Sequence, residues 1–229
     1  SRGVEFSRIA RMRQLLRSDQ KYSIEDHKKI QLDAYSLRAE ADIPRFTGWK
    51  SEAPEVERAR EILADWDAVL AKESAAAAIY YVWRAEVDAE IFSSDTPGNQ
   101  RRSLVEAGLK KAVARLTKEL GEDWAEWRYG RVQNSAFPHM LAVEFDLPDV
   151  ERSGGFGTIA ASSVSFRHIL DTDDWDRSVF TITPGQSGQP ESPFYGSLQA
   201  RWANDEYFSL SYSRAAVDGQ VAFRLTLKP

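Results

Sequence analysis

Val179-Phe180-Thr181-Ile182-Thr183-Pro184-Gly185-Gln186-Ser187-Gly188-Gln189-Pro190-Glu191-Ser192-Pro193-Phe194-Tyr195 decides how the second half of this chain is read. A β-branched and aromatic run enters a Pro-Gly turn. A Gly-Gln-Pro turn follows, and a new element opens at Ser192 and Pro193. Working outward, residues 163–170, 178–183, 207–212 and 221–227 alternate or are rich in β formers, and each reads as a strand. Gly154, Gly155, Gly157, Gly185 and Gly188 punctuate these runs. A short helix is expected over residues 195–203.

Upstream the period changes to that of helices. The first is expected over residues 5–17, with Ile9, Met12, Leu15 and Leu16 at helical spacing. The second has a start signal at Ser23, with Asp26 three residues on, as in a capping box. Its stripe is Ile24, Ile30, Ala34, Leu37 and Ala41, and Pro44 ends it. The third starts near Pro54, a good first-turn residue, and carries Val56, Ala59, Ile62, Leu63, Trp66, Val69 and Leu70. The fourth, from about Ser74, is rich in small residues at Ala75 to Ala78, which would let another helix approach closely. It continues through Ile79, Val82, Trp83 and Val87. The fifth spans residues 101–120 through Leu104, Leu109, Ala112, Val113 and Leu116, and Gly121 stops it. The expected fold is α+β, a helical lobe over residues 1–126 and a mostly antiparallel β lobe over 127–229. The loop at 92–99 is the best linker candidate, but it is short, and two lobes of one domain are expected.

Composition bounds the classes of function. The chain has 229 residues, enough for a sizeable core, with 42% hydrophobic and 28% charged residues. A net charge of −5 argues against non-specific nucleic-acid binding. No apolar run reaches the length of a membrane span. No signal peptide is read at the start, although a mature or truncated chain would have lost one. The absence of Cys excludes disulfides, thiolate metal sites and Cys nucleophiles.

Candidate chemistry is sparse. His27, His139 and His168 are not spaced for a metal site and read as structural. Asp171, Asp173, Asp174 and Asp176 form an acidic turn, but a calcium loop would need Gly where Asp176 stands and a late Glu. It reads as a solvated turn. Gly155-Phe156-Gly157 followed by Ala160 matches a dinucleotide fingerprint in letters only, because strand rather than helix follows it. Ser1 could act as nucleophile with its own amine as base, but Arg2, Gly3 and Val4 lead into a polar helix, and an ordinary first residue is the better reading. Trp66, Trp83, Trp124 and Trp127 could line an acyl pocket, with core packing as the base expectation.

Several passages stand in a recognisable order: Arg8-Ile9-x-x-Met12-x-x-Leu15-Leu16; Gln31-x-Asp33-x-x-Ser36-x-x-Ala39; Gly121-x-Asp123-Trp124-x-x-Trp127-x-Tyr129-Gly130-Arg131; Phe137-Pro138-His139; Gly154-Gly155-Phe156-Gly157-Thr158; then residues 171–180 and Pro184 to Gly188. Together these resemble the later part of the β subunit of penicillin acylases, N-terminal-nucleophile amide hydrolases. The resemblance implies an αββα core in the whole enzyme and a precursor that cuts itself into α and β subunits. It also implies a Ser nucleophile followed by Asn at the new β N-terminus. Ser1-Arg2-Gly3 departs from that pattern, so the nucleophile, the oxyanion-hole Asn and the family's structural calcium ligands are expected outside this chain. Arg8 is the one residue carried over, as an Arg near the substrate carboxylate that supports the oxyanion Asn, and Arg2, Arg11 and Arg13 are rivals for its place. No cofactor is expected in this stretch. The partners implied are the remaining acylase segments and a small N-acyl amide, with a periplasmic or secreted location. Rival readings are an N-acyl homoserine lactone acylase and a non-catalytic binding module using Trp175, Trp202 or Tyr207.

Overall fold

The computed structural model describes residues 7–93, 95–155, 157–161 and 164–227. The fold is α+β, with helices concentrated in the first part and small antiparallel sheets in the second. The helices are α1 (Ser7–Leu15), α2 (Ile24–Gln31), α3 (Leu37–Asp42), α4 (Pro54–Ala64), α5 (Ala75–Glu86), α6 (Gly98–Leu120), α7 (Tyr129–Val132), α8 (Gln199–Ala203) and α9 (Arg214–Gln220). The strands are β1 (Asn134–Phe137), β2 (Leu147–Glu151), β3 (Phe166–Ile169), β4 (Val179–Ile182) and β5 (Phe208–Ser209). The chain gathers into two compact units that interleave along the sequence. One holds Ser1–Gln20, Ile30–Ala136 and Pro148–Ser163, the other Lys21–Lys29, Phe137–Leu147 and Val164–Pro229. Both flanks of the 92–99 loop lie in the first unit, and the division does not fall at residue 126.

The first unit is built on α4, α5 and α6. Val56, Ala59 and Leu63 of α4, Ile79, Val82 and Trp83 of α5, and Leu109, Ala112 and Leu116 of α6 are buried together with Phe46 and Trp127. Each such large apolar side chain contributes about 1.5–3 kcal/mol on burial. Trp83 meets Phe46 edge-on at 4.8 Å and donates its indole N–H to the Val105 carbonyl. Ser74 caps α5 by accepting from Ala77 N–H, and Gly121, at φ +92°, ends α6. The small residue at the tight crossing is Gly108, where a Cβ would stand 3.0 Å from Val87.

Two helices are shorter than their apolar stripes suggest. The Ser23 to Asp26 capping box forms, with each backbone N–H bonded to the other's side chain, but α2 ends at Gln31. Residues 33–36 are extended: Tyr35 bridges Val69, Ser36 N–H donates to Ala68 O, and Leu70 N–H donates to Ala34 O. Ser36 then caps a new helix, α3, through Ala39 N–H. A backbone ladder with a side-chain cap outcompetes continued helix where Asp and Ser interrupt the stripe. Helix α4 stops at Ala64, and residues 66–70 run on as the partner thread of this ladder.

In the second unit β4 is the central strand between β3 and β5, all antiparallel. The register pairs His168 with Phe180 and Phe180 with Phe208 on one face, and places Arg167 opposite Thr181 on the buried face. Trp202 of α8 is buried and takes Phe137 edge-on at 5.6 Å. The strands β1 and β2, nearly all of whose residues belong to the first unit, pair with each other and, like α9, fall where no element was expected. Of residues 207–212 only β5 is strand. Residues 221–227 are not a strand: their alternation faces no sheet, and Phe223 is 92% exposed. Period-2 patterning states what a strand would bury, but a strand exists only where a neighbour supplies the ladder. Among the described residues, no helix is long and apolar enough to cross a membrane.

Candidate functional site

In the first unit three threads lie side by side. Residues 33–36 pair with residues 68–70, and Gly154 N–H donates to Leu70 O at 2.8 Å. The glycine-rich turn then folds back, with Gly155 N–H bonded to Ala160 O and Ala160 N–H bonded to Asp33 O. Thr158 holds the turn closed: its buried hydroxyl accepts from Gly155 N–H and donates to Ala160 O at 2.6 Å. The Tyr129 hydroxyl donates to Gly154 O at 2.8 Å from inside the unit, and burial pushes its pKa up. Gly154 sits at φ +81°, and a Cβ there would lie 1.8 Å from the Ala160 oxygen, so only glycine fits.

The first helix docks its arginines on this turn. Arg8 Nε donates to Thr158 O at 2.7 Å, and Ser7 donates to Gly157 O. Arg11 grips Asp33 with two nitrogens, at 3.1 and 2.8 Å, and lies over the Tyr35 ring at 4.4 Å. The carboxylate raises the Arg11 pKa further. Of the candidates for the carried-over arginine, Arg8 and Arg11 differ in their partners, and Arg2 lies outside the described residues. Arg11 is neutralised by Asp33, whereas Arg8 has no carboxylate partner among the described residues and its terminal nitrogens bond none of them. Of the expected apolar stripe, Ile9, Met12 and Leu16 are exposed and no residue of α1 is buried. Four of the passages quoted above therefore meet here: the Arg8 helix, the Asp33 segment, Tyr129 and the Gly154 to Thr158 turn. The Asp33 and Tyr129 contacts were not read from the sequence, because their partners lie 22 and 25 residues away. Ser1, Arg2, Gly3, Val4 and Phe156, and with them the start of the expected first helix, lie outside the described residues.

Two of the other passages, Phe137 to His139 and the one that starts at Pro184, meet within the second unit. Phe137, Pro138, His139, Leu147, Pro184 and Tyr195 line a mainly apolar cavity of about 500 Å³. Pro184 to Tyr195 is a self-bonded corner: Gln186 and Ser187 N–H both donate to Phe194 O, and Leu198 N–H donates to Pro184 O. Gly185 is forced, since a Cβ would lie 2.1 Å from the Phe194 oxygen. His139 Nδ1 accepts from Leu141 and Ala142 N–H, a structural use of the ring.

The remaining candidates resolve into packing. Trp83 and Trp127 are fully buried and Trp124 stacks on Trp127 at 4.0 Å, so they form core rather than an acyl pocket. Asp171, Asp174 and Asp176 cap backbone N–H groups of their own turn and of residues 212 and 213. Among the described residues no group of three or more His, Asp or Glu side chains could hold a metal. Trp202 donates to Val164 O from a buried position, which removes it as a surface platform.

Comparison with known proteins places the chain. A family model described as penicillin amidase matches residues 5–219. An acyl-homoserine lactone acylase, QuiP, from Pseudomonas syringae pv. tomato is 27% identical over 155 residues, which is 58% of this chain and 19% of that protein. A solved structure, a thermostable penicillin G acylase from Alcaligenes faecalis, aligns over 97% of this chain and 52% of its own at 12% identity, with a TM-score of 0.49. The aligned stretch thus spans about a fifth of the curated relative and about half of the solved chain. With the family match covering nearly all of its length, the chain belongs to the penicillin amidase family.

Proposed function

We propose that the chain is a C-terminal portion of an N-acyl amide hydrolase. The Ser nucleophile and the oxyanion-hole Asn belong to segments outside this chain, and this portion alone is inactive. Amide hydrolysis needs an activated nucleophile and donors aimed at the tetrahedral oxyanion. Among the described residues Ser23 and Ser51 donate to carboxylates, but Ser23 is committed to capping its helix with Asp26.

The observation that carries the reading is Arg8. Its Nε is pinned by the Thr158 carbonyl while no carboxylate among the described residues pairs with it, next to an arginine that is committed to Asp33. A guanidinium pinned through its Nε can use its terminal nitrogens to orient the side-chain carbonyl of an Asn or hold a substrate carboxylate. Arg8 is thus a positioning residue, and its partners are the α subunit and the front part of the β subunit. The family's setting points to a periplasmic or secreted enzyme, which fractionation of cells expressing the complete gene would check.

The acyl preference has a second reading. The curated relative is named for acyl-homoserine lactones, which favours long aliphatic acyl chains over aromatic ones. The complete gene product should be assayed against an aryl-acetyl amide and a long-chain N-acyl homoserine lactone, beside the 229-residue chain alone. Turnover only by the complete protein is expected. Enzyme-like turnover by this chain alone, with Ser1 acylated, would overturn the proposal.

A further inference from the structure

Arg101 and Arg102 open helix α6 beside a cleft of about 380 Å³ that lies wholly in the first unit, away from the Arg8 turn in sequence and in its bonding. Ala41, Pro44, Arg45, Trp49 and Val105 complete its walls. Neither Arg101 nor Arg102 has a carboxylate partner among the described residues. Arg101 uses one nitrogen on the carbonyls of Ser93 and Thr96, and its Nε is covered without any bond. Among the described residues Arg102 bonds the Lys50 carbonyl alone, and it stands 5.3 Å from the centre of the Trp49 ring. The first turn of α6 holds no acidic residue. Acidic residues next to the lining residues in sequence, and Glu57 beyond them, have other partners, and of these only Glu106 meets a neutral one without a cation. Asp42 is shared by Arg45, Arg84 and the Tyr80 hydroxyl, Glu57 is gripped by Arg60, and Glu106 accepts from Ser51.

Two guanidinium groups without a carboxylate partner among the described residues, on one concave surface, attract an oxyanion, and the planar fork suits carboxylate and phosphate alike. The other walls, Ala41, Pro44, Val105 and the Trp49 ring, suit an apolar body. A cleft of this volume falls within the range of small-molecule sites. We infer that this cleft binds a small organic oxyanion: a carboxylate or phosphate group held by Arg101 and Arg102, with a compact apolar body against Trp49. The inference is independent of the acylase reading, since none of the hydrogen bonds given for these residues goes to the turn that Arg8 bonds.

The test is calorimetric titration of the purified chain with benzoate, phenyl phosphate and benzamide, the last being the uncharged counterpart. Benzoate, phenyl phosphate or both are expected to bind, and which of them binds more tightly tells carboxylate from phosphate. Benzamide should bind at least about tenfold more weakly, because hydrogen bonds to charged groups are about twice as strong as neutral ones. Arg102→Gln should weaken binding about tenfold, and Trp49→Phe should remove the fluorescence change on binding. Arg115→Gln, farther along α6 where Glu86 and Glu119 neutralise the charge, should leave the affinity unchanged. Arg102 is exposed and holds a single carbonyl, so its variant folds, and circular dichroism verifies this. Absence of saturable binding for both anions, equal affinity for benzamide, or equal effects of Arg102→Gln and Arg115→Gln would each overturn the inference.

Discussion

Replacing Gly154 by Ala tests whether the glycine-rich turn is the structural base of the site. The costs can be worked from the geometry. At φ +81° an L residue loses about 1 kcal/mol relative to glycine. The new methyl would stand 1.8 Å from the Ala160 oxygen, so the carbonyl must retreat, and overpacking of this kind costs about 1–3 kcal/mol. Retreat breaks the Gly155 N–H and Thr158 hydroxyl bonds to that oxygen, each worth about 1 kcal/mol net. Allowing for overlap among these terms, a loss of about 3–5 kcal/mol is expected, a large part of the 5–15 kcal/mol of a typical domain. Urea denaturation followed by tryptophan fluorescence measures it. Two comparators frame the result. Tyr129→Phe removes one buried bond to the same turn, leaving the Gly154 oxygen short of a donor, and should cost about 1–2 kcal/mol. Gly188→Ala, where a Cβ meets nothing within 4 Å, should stay within about 0.5 kcal/mol. A Gly154→Ala loss no larger than that of Gly188→Ala would refute the reasoning, because the turn would then accommodate a side chain at no cost.

Other perturbations probe the remaining parts. Arg11→Ala should destabilise the chain by about 1–2 kcal/mol, since its bidentate pair with Asp33 is mostly covered. Arg8→Ala should cost about 0.5–1.5 kcal/mol of stability through its bond to the Thr158 carbonyl yet lower kcat/KM of the complete enzyme by about tenfold or more, with partial recovery in Arg8→Lys. Equal effects of the Arg8 and Arg11 changes on activity at equal stability would remove the distinction drawn between them. Glu57 is held down to about 2 from its ordinary 4.5 by the Arg60 guanidinium and the Ser51 N–H. Its folded-state pKa is depressed, so its contribution is present above pH 4.5 and is lost as pH falls towards about 2. Glu57→Gln should therefore lower Tm near neutrality and flatten its fall across that acid window, which thermal melts at stepped pH would record. Ser36→Ala should cost about 1 kcal/mol in the same melts, through loss of the α3 cap.

How much of this was legible in the sequence depended on how local each cause was. Caps and stops were readable, because Ser23, Pro54, Ser74 and Gly121 act within one turn of their own position. The break of the second helix at Gln31 was not, because its cause is the distant thread at residues 68–70. The acidic turn was readable for the opposite reason to a metal site: closely spaced Asp side chains cap neighbouring N–H groups, a purely local economy of hydrogen bonds. The site lay in between. Its passages could be recognised singly, and Arg8 could be named. But the contrast between Arg8 and Arg11, on which the proposed role of Arg8 rests, required Asp33, and the need for glycine at 154 required the Ala160 carbonyl. Neither partner follows from any periodicity.

The failures of patterning point the same way as the proposed function. Ile9, Met12 and Leu16 keep helical spacing on a helix that buries none of its residues. Residues 221–227 keep strand alternation with no sheet beside them, and Leu225 and Leu227 are each 84% exposed. Amphipathic spacing has no local benefit when its apolar side faces water, and patches of this kind usually mark contact surfaces. Two periodic faces in one chain, one helical and one extended, suit a chain whose neighbours in the complete acylase cover them. The alternative is that the exposed faces meet each other between copies. Sedimentation of this chain over a range of concentrations, alone and with Phe223→Ser and Leu225→Ser together, separates the two situations. Self-association that the double change abolishes is the expected behaviour of a chain lacking its partners. Its disappearance when the complete precursor is expressed, with the same two changes lowering the yield of folded precursor, would place the covering surface within the enzyme. A monomer at every concentration would mean that these faces are ordinary solvated surface, and the link between the patterning and missing partners would fall.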